Sequence, residues 1–205
     1  IFWKKLMNSC LPRIEISLSQ IRENTQVLSD LYLGKGISLM GVTKAVLGEP
    51  SIAKAMIQGG VKLIADSRIE NILKMKNAGI STPFVLLRTP LSQAESIVEN
   101  VDISLNTEIE TVKRLSHHAK KQNKTHQVII MVELGDLREG VLPYDLSQFI
   151  RETLSLPNII IIGIGCNLAC YGGIKPDDKN MRELSVLVNL LEKEFQIDLK
   201  IISGG

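Results

Sequence analysis

Residues 37–50 read Ile-Ser-Leu-Met-Gly-Val-Thr-Lys-Ala-Val-Leu-Gly-Glu-Pro, and the parsing of this stretch decides the fold. An apolar run ends at a single lysine, Lys44, and a glycine-containing turn follows. Glu49-Pro50 then opens a helix, because proline suits the first helical turn, where no N–H is needed. The unit is strand, lysine, turn, helix. Leu39, Val42, Ala45 and Val46 are expected to surround the amine with apolar groups. Burial favours the neutral form of an amine, the form that attacks a carbonyl, so Lys44 is the first candidate for chemistry. The plainer reading is that a lysine at a strand end marks where the chain meets water. For an isolated lysine that is the commoner case.

Outward from this unit the same alternation recurs. Upstream, Arg13–Leu18 reads as a short strand and Ser19–Leu33 as a helix, with Ser17 and Gln20 spaced as a capping box. Downstream, strands are expected at 61–65, 84–88, 102–105, 127–134, 158–164 and 199–202. Helices are expected at 51–58, 67–79, from Thr89-Pro90, from Thr107, at 145–154 and at 177–195. Ser67 with Glu70 and Thr107 with Glu110 have the spacing of two further capping boxes. The four consecutive isoleucines 159–162 read as a strand buried on both faces, as in a parallel sheet.

Strand and helix in strict alternation predict parallel strands joined by right-handed crossovers. The choice lies between a doubly wound open sheet and a TIM-like (βα)8 barrel. An open sheet gathers its polar groups at one switch point, whereas a barrel spreads them over all the C-terminal strand ends. Here they recur in strand after strand: Lys44, Asp66 and Arg68, Arg88, Asn106, Glu133 through Arg138, Asn167 and Ser203. The expected fold class is α/β, a TIM-like (βα)8 barrel cut after its seventh barrel strand, with no C-terminal β domain. Residues 1–12 are expected to be an appendage and 13–205 an incomplete barrel domain.

Bulk composition excludes several classes. A net charge of +2 gives no electrostatic case for nucleic acid or an anionic membrane. No apolar run approaches the roughly 20 residues that span a bilayer. Three cysteines, Cys10, Cys166 and Cys170, suit a reducing compartment, which points to the cytoplasm. Cys166 and Cys170 have no matching second pair, and the histidines lie elsewhere, so buried free thiols are expected and no metal site. Gly34-Lys-Gly36 lacks the third glycine of a dinucleotide fingerprint. Ser203-Gly204-Gly205 after a buried strand suits an anion, since glycine lets backbone N–H groups approach it closely, though such a pair is more often a plain turn. The charged loop 135–140 reads first as a solvated surface loop.

Taken together, these motifs carry a resemblance. They are Pro12-Arg-Ile-Glu-Ile-Ser-Leu-Ser-Gln-Ile-Arg-Glu-Asn24, Gly41-Val-Thr-Lys44, Ala65-Asp-Ser-Arg-Ile-Glu-Asn71, Leu86-Leu-Arg-Thr-Pro90 and Ser104-Leu-Asn106. Val132-Glu-Leu-Gly-Asp-Leu-Arg-Glu-Gly140, Gly165-Cys-Asn-Leu-Ala-Cys170 and Ile202-Ser-Gly-Gly205 complete the set. In this order, each at a strand end, they are similar to the alanine racemase-like, fold-type III family of pyridoxal phosphate enzymes, and within it to the alanine/ornithine racemase branch.

The resemblance implies racemisation of an amino acid, ornithine or alanine among them, with Lys44 as the Schiff-base lysine. It implies Ser203, Gly204 and Gly205 at the cofactor phosphate and Arg138 near the cofactor ring and the substrate carboxylate. Asn167 and Tyr171 would lie beside the cofactor, with Asp66, Arg68 and Arg88 at the rim. It further implies a homodimer when intact, with a second acid–base group from a partner subunit, expected beyond residue 205; the 205-residue piece alone would then lack turnover. The main rival is a non-catalytic pyridoxal phosphate-binding homeostasis protein. A decarboxylase or aldolase of the same fold is a third option.

Overall fold

A computed structural model describes residues 14–168 and 173–204. The first element is helix α1 (Leu18–Leu33), and strand β1 (Met40–Val42) follows. Then come α2 (Pro50–Gln58), β2 (Leu63–Asp66), α3 (Ile69–Asn77), β3 (Phe84–Leu86), α4 (Ala94–Asn100), β4 (Ile103–Asn106) and α5 (Ile109–Lys121). The series closes with β5 (His126–Met131), α6 (Leu146–Leu154), β6 (Ile159–Gly165), α7 (Asp178–Phe195) and β7 (Ile201–Ser203). The seven strands form one sheet in chain order, β1 to β7, and every pairing is parallel. A curled sheet of this order is the barrel layout and not the switch-point layout, because no strand order reverses within it.

Period-two alternation divides the strand side chains between two cores. Ala65, Val85, Ile103, Leu105, Ile129, Met131 and Ile162 pack together on the concave face, with Met40, Leu63, Leu87 and Ile201 against them. Their neighbours Ile64, Phe84, Leu86, Val128, Ile130 and Ile164 belong to the larger core under the helices. Each such side chain fully buried contributes roughly 1.5–3 kcal/mol. The isoleucine run thus serves both layers, as the sequence implies, although Ile160 is half exposed at the start of β6.

Three expectations at element starts need correction. Residues 14–17 are not a strand: they are exposed and pair with no neighbour, and the helix already begins at Leu18. A strand needs a ladder partner, and none reaches this segment among the described residues. Ser17 does cap α1, its Oγ accepting from the Gln20 N–H at 3.4 Å. The boxes expected at Ser67 and Thr107 do not form, because the N-cap residues are Arg68 and Glu108, neither with a side-chain cap. A reciprocal box forms instead at α7. There Asp177 accepts from the Lys179 and Asn180 N–H groups, and the Asn180 side chain accepts from the Asp177 N–H. Residues 1–12, the expected appendage, lie outside the described residues.

The two edges of the sheet, β1 and β7, carry exposed apolar groups, Val42 and Ile202. The flanking helices do the same, α1 through Val27, Leu28 and Leu31 and α7 through Val186 and Leu190. Among the described residues, no helix is long and apolar enough to cross a membrane.

One buried polar thread runs through the helix-side core. His126, 1% exposed, lies with Nε2 2.8 Å from Ser104 Oγ, which also accepts from Asn106 Nδ2 at 3.0 Å. The hydroxyl and Nε2 share one proton, either of them donating according to the ring tautomer. Burial is the main cause that pushes the His126 pKa down to about 4, with Asp102 opposing. The unfolded chain then binds the extra proton between about pH 6.5 and 4, so this stability is complete above that window and is lost as pH falls through it. The loss should be on the order of 3 kcal/mol. In urea unfolding at pH 7 and pH 4.5, the wild type should weaken more on acidification than His126→Gln does. Equal pH dependence of the two would refute the assignment.

Candidate functional site

Parallel pairing brings every C-terminal strand end to one side of the sheet, and the candidate residues sit there. At the first strand, β1 ends at Val42, and Lys44–Val46 form a single 3-10 turn. Leu47 and Gly48 then both adopt positive φ, 52° and 60°. A side chain at Gly48 would press against Asn71, its Cβ 2.7 Å from Asn71 Cβ, so this position requires glycine on two counts.

The turn is anchored from below. Val42 pairs with Ala65, so the next residues, Thr43 and Asp66, fall side by side. Thr43 Oγ1 donates to Asp66 Oδ2 at 2.7 Å, and the Arg68 N–H (3.0 Å) and Asn71 Nδ2 (2.9 Å) donate to Asp66 Oδ1. Thr43 and Asp66 are both fully buried. From the side, Lys74 Nζ reaches the Leu47 carbonyl at 3.4 Å and Glu49 at 3.1 Å. The Lys74 ammonium, and then the Ser51 hydroxyl, hold the Glu49 carboxyl below its ordinary range.

Two expectations change here. Asp66 is not a rim group: it is the buried anchor of the turn that carries Lys44. Lys44 itself is exposed, as are Val42 and Ala45, so the apolar burial expected around its amine is not supplied by the described residues. The physical reason is that β1 is an edge strand with a neighbour on one side only. Within β1, Met40 and Val42 lie on the concave side and Gly41 faces the helices, as does Thr43 just beyond; Lys44 follows in the turn at the C-terminal end of the sheet.

Across the sheet, the loop after β5 closes on itself. Val132 bridges Val141, and Glu133 Oε1 accepts from the Gly135 N–H (2.6 Å) and the Leu137 N–H (3.0 Å). Gly140 has φ 143°, and a Cβ there would overlap the Glu133 backbone nitrogen, so no other residue closes the loop this way. The loop is not the solvated surface loop of the plain reading. Asp136 is buried, and the side chains of Arg138 and Glu139 are only 18% and 21% exposed.

Arg138 Nη2 lies 3.1 Å from Glu139 Oε1, and Arg138 Nε lies 3.4 Å from Asp136 Oδ2. Asn167, just after β6, donates from Nδ2 to the same Glu139 oxygen at 2.8 Å. Arg88, after β3, lies with Nε 3.8 Å from Glu139 Oε2, its side chain largely exposed. Asn106 turns inward, its Nδ2 spent on Ser104.

At the far edge, Ser203 ends β7 opposite Gly165, and its carbonyl accepts from the Cys166 N–H at 2.9 Å. Gly204 passes close over α7, where a Cβ would stand 3.2 Å from Met181 Sδ. Cys166 is a buried free thiol, raised in pKa by burial and then by Glu133. No metal-binding group of His, Cys, Asp and Glu exists among the described residues. Tyr171 and Gly205 lie outside the described residues, as does Cys170.

Of the expected site residues, the structure brings Arg138 and Asn167 together and adds Arg88, all through Glu139. Lys44 and Ser203–Gly204 stand at the same end of the sheet on its two edge strands. Sequence reasoning placed Asp66 at the rim and not under the turn, and it passed over Glu139. Asp66 had a usable signal, since its register aligns it with Thr43. Glu139 had none beyond its place beside Arg138. One amine, one guanidinium, one amide, one hydroxyl and a glycine turn at a single sheet end form a donor set that suits a phosphorylated aldehyde. Pyridoxal phosphate is such a group.

The match to a family model decides the relationship: residues 16–205 fit alanine racemase, N-terminal domain. The chain belongs to this family. An ornithine racemase of Acetoanaerobium sticklandii is 41% identical over 196 residues, covering 95% of this chain and 55% of that protein. A lysine racemase of Thermotoga maritima is 34% identical over 195 residues, covering 95% and 54%. Among solved structures, an alanine racemase of Clostridium difficile 630 superposes with a TM-score of 0.76 at 19% identity, over 91% of this chain and 52% of that one, which shows the shared barrel. The chain thus spans about half the length of these relatives.

Removing the anchor beneath Lys44 tests its structural role. Asp66→Ala would leave the Thr43 hydroxyl, the Arg68 N–H and the Asn71 amide without their acceptor. A loss of about 3 kcal/mol or more in urea unfolding is expected. A loss below about 1 kcal/mol would show that water replaces the carboxylate at no great cost.

Proposed function

We propose that this chain is the cofactor-binding barrel of a pyridoxal phosphate-dependent amino-acid racemase acting on a small or basic amino acid, ornithine foremost. The alanine, ornithine and lysine racemases of this family are pyridoxal phosphate enzymes. The observation that carries the reading is the position of Lys44. It stands two residues past β1, in a turn held by Asp66 and Lys74, at the sheet end where Arg138, Asn167 and Ser203 also lie. The two relatives named for ornithine and lysine supply the substrate class.

Lys44 would hold the cofactor through its aldehyde carbon, and Ser203 with Gly204 and Gly205 would hold its phosphate. When bound, the cofactor supplies an electron sink that makes the substrate Cα–H acidic. The amine of Lys44 would take or return the proton at the substrate Cα on one face. Arg138 presents N–H donors to the substrate carboxylate, since a guanidinium matches that planar anion. Asn167 adds an amide beside it. Inversion requires an acid–base group on the opposite face, which we assign to a partner subunit in a homodimer of the intact protein. We place that protein in the cytoplasm.

The test uses the protein encoded by the full natural reading frame. Adding pyridoxal phosphate should produce an imine absorbance band that Lys44→Ala abolishes. Single amino-acid enantiomers, ornithine first, should lose optical rotation with the wild type, and Lys44→Ala should slow this by roughly 100- to 10,000-fold. A band without any rotation change would favour a pyridoxal phosphate-binding protein without catalysis. No band at all would end the cofactor reading. Light scattering that finds only monomer would remove the shared-site dimer.

A further inference from the structure

We infer that Glu139 is the positioning residue of this site, the carboxylate that aims Arg138 and Asn167 at the carboxylate of the amino-acid substrate. The inference rests on the racemase reading above and goes beyond it to a residue to which that reading assigns no role.

Three loops, after β3, β5 and β6, send Arg88, Arg138 and Asn167 to this one side chain. Its Oε1 serves Arg138 and Asn167 together, at 3.1 and 2.8 Å, and its Oε2 faces Arg88 at 3.8 Å. An arginine side chain carries about 2 kcal/mol of rotamer entropy, so it points nowhere in particular unless held. Glu139 accepts a hydrogen bond from Arg138 Nη2, and Asp136 adds a charge 3.4 Å from Nε. The hydrogen bond is directional and orients the guanidinium, whereas the Asp136 contact is an ion pair. Both pairs are shielded, Asp136 being buried and Arg138 and Glu139 each about four-fifths buried, so screening by water is weak.

Glu139 also has an electrostatic duty. Without it, Arg88 would lose the carboxylate it faces, Arg138 one of its two, and the Asn167 amide its acceptor. The rigidity needed to make this useful is present, because the loop is bridged to itself at Val132 and Val141 and pinned by Gly140 directly after Glu139. Glu139 touches neither substrate nor cofactor in this assignment. It acts through Arg138 and Asn167.

The experiment compares wild type, Glu139→Ala and Glu139→Gln in the full-length protein loaded with pyridoxal phosphate. The readouts are the imine band, thermal stability, KM and kcat for racemisation, and the Kd of propionate, a bare carboxylate, by calorimetry. Glu139→Ala should raise KM and the propionate Kd by about tenfold or more, with kcat reduced less than KM rises and the imine band kept. Glu139→Gln retains an acceptor for Asn167 and Arg138 and should recover most of that loss. The inference is overturned if KM and propionate Kd of Glu139→Ala stay within twofold of wild type. It is also overturned if the variants lose the imine band and thermal stability in proportion to affinity, as a plain structural residue would. A wild type with neither imine band nor rotation change sinks the racemase reading and this inference with it. A working wild type beside an unaffected Glu139→Ala sinks this inference alone.

Discussion

All seven strands run the same way, in chain order, and the rest of the molecule depends on that constraint. A parallel neighbour can be reached only by a crossover long enough for a helix, so each strand returns to the same end to begin the next. The C-terminal ends therefore collect on one side without any contact between the residues they carry. Polar groups at those ends cost little, because the backbone is leaving the ladder there and water is near. The buried layers on either side are left to isoleucine, valine and leucine.

Within that frame the two halves of the site are built differently. The Lys44 turn is held by a fully buried carboxylate and by two consecutive left-handed residues, so its backbone is rigid while its amine reaches solvent. The loop after β5 is the reverse. Its backbone is closed by one bridge and one glycine, and its charged side chains are turned in on each other. An exposed amine is free to meet an aldehyde, and a shielded guanidinium is ready to meet a carboxylate. The first needs mobility at its tip, and the second needs none.

Much of this was legible beforehand. The run 37–50 declared its strand, turn and helix through Lys44, Gly48 and Pro50, and the structure agrees to within a few residues. The isoleucines 159–162 declared a strand of a parallel sheet. Local signals failed where a stronger partner intervened. Ser67 and Thr107 have capping-box spacing, yet Asp66 takes the Arg68 N–H, and Glu110 pairs with Lys113 at 2.7 Å. The strand expected at residues 13–18 failed over its described part, from residue 14, for want of a neighbour, since β-propensity needs a ladder to act on. The box at Asp177 passed unnoticed because asparagine, not glutamate, closes it.

The sequence by itself determined the order of strands and helices, the division into two apolar layers and the placing of Lys44, Arg138, Asn167 and Ser203 at strand ends. These follow from periodicity and from glycine and proline, which act over a few residues. Only the tertiary structure decided that Asp66 lies under Thr43, that Lys44 is exposed on an edge strand and that Glu139 joins Arg88, Arg138 and Asn167. Those pairings link residues separated by tens of positions, or depend on which strands have neighbours. Register between neighbouring strands sets Asp66 under Thr43, and the assembly of strand-end loops brings Arg88 and Asn167 to Glu139.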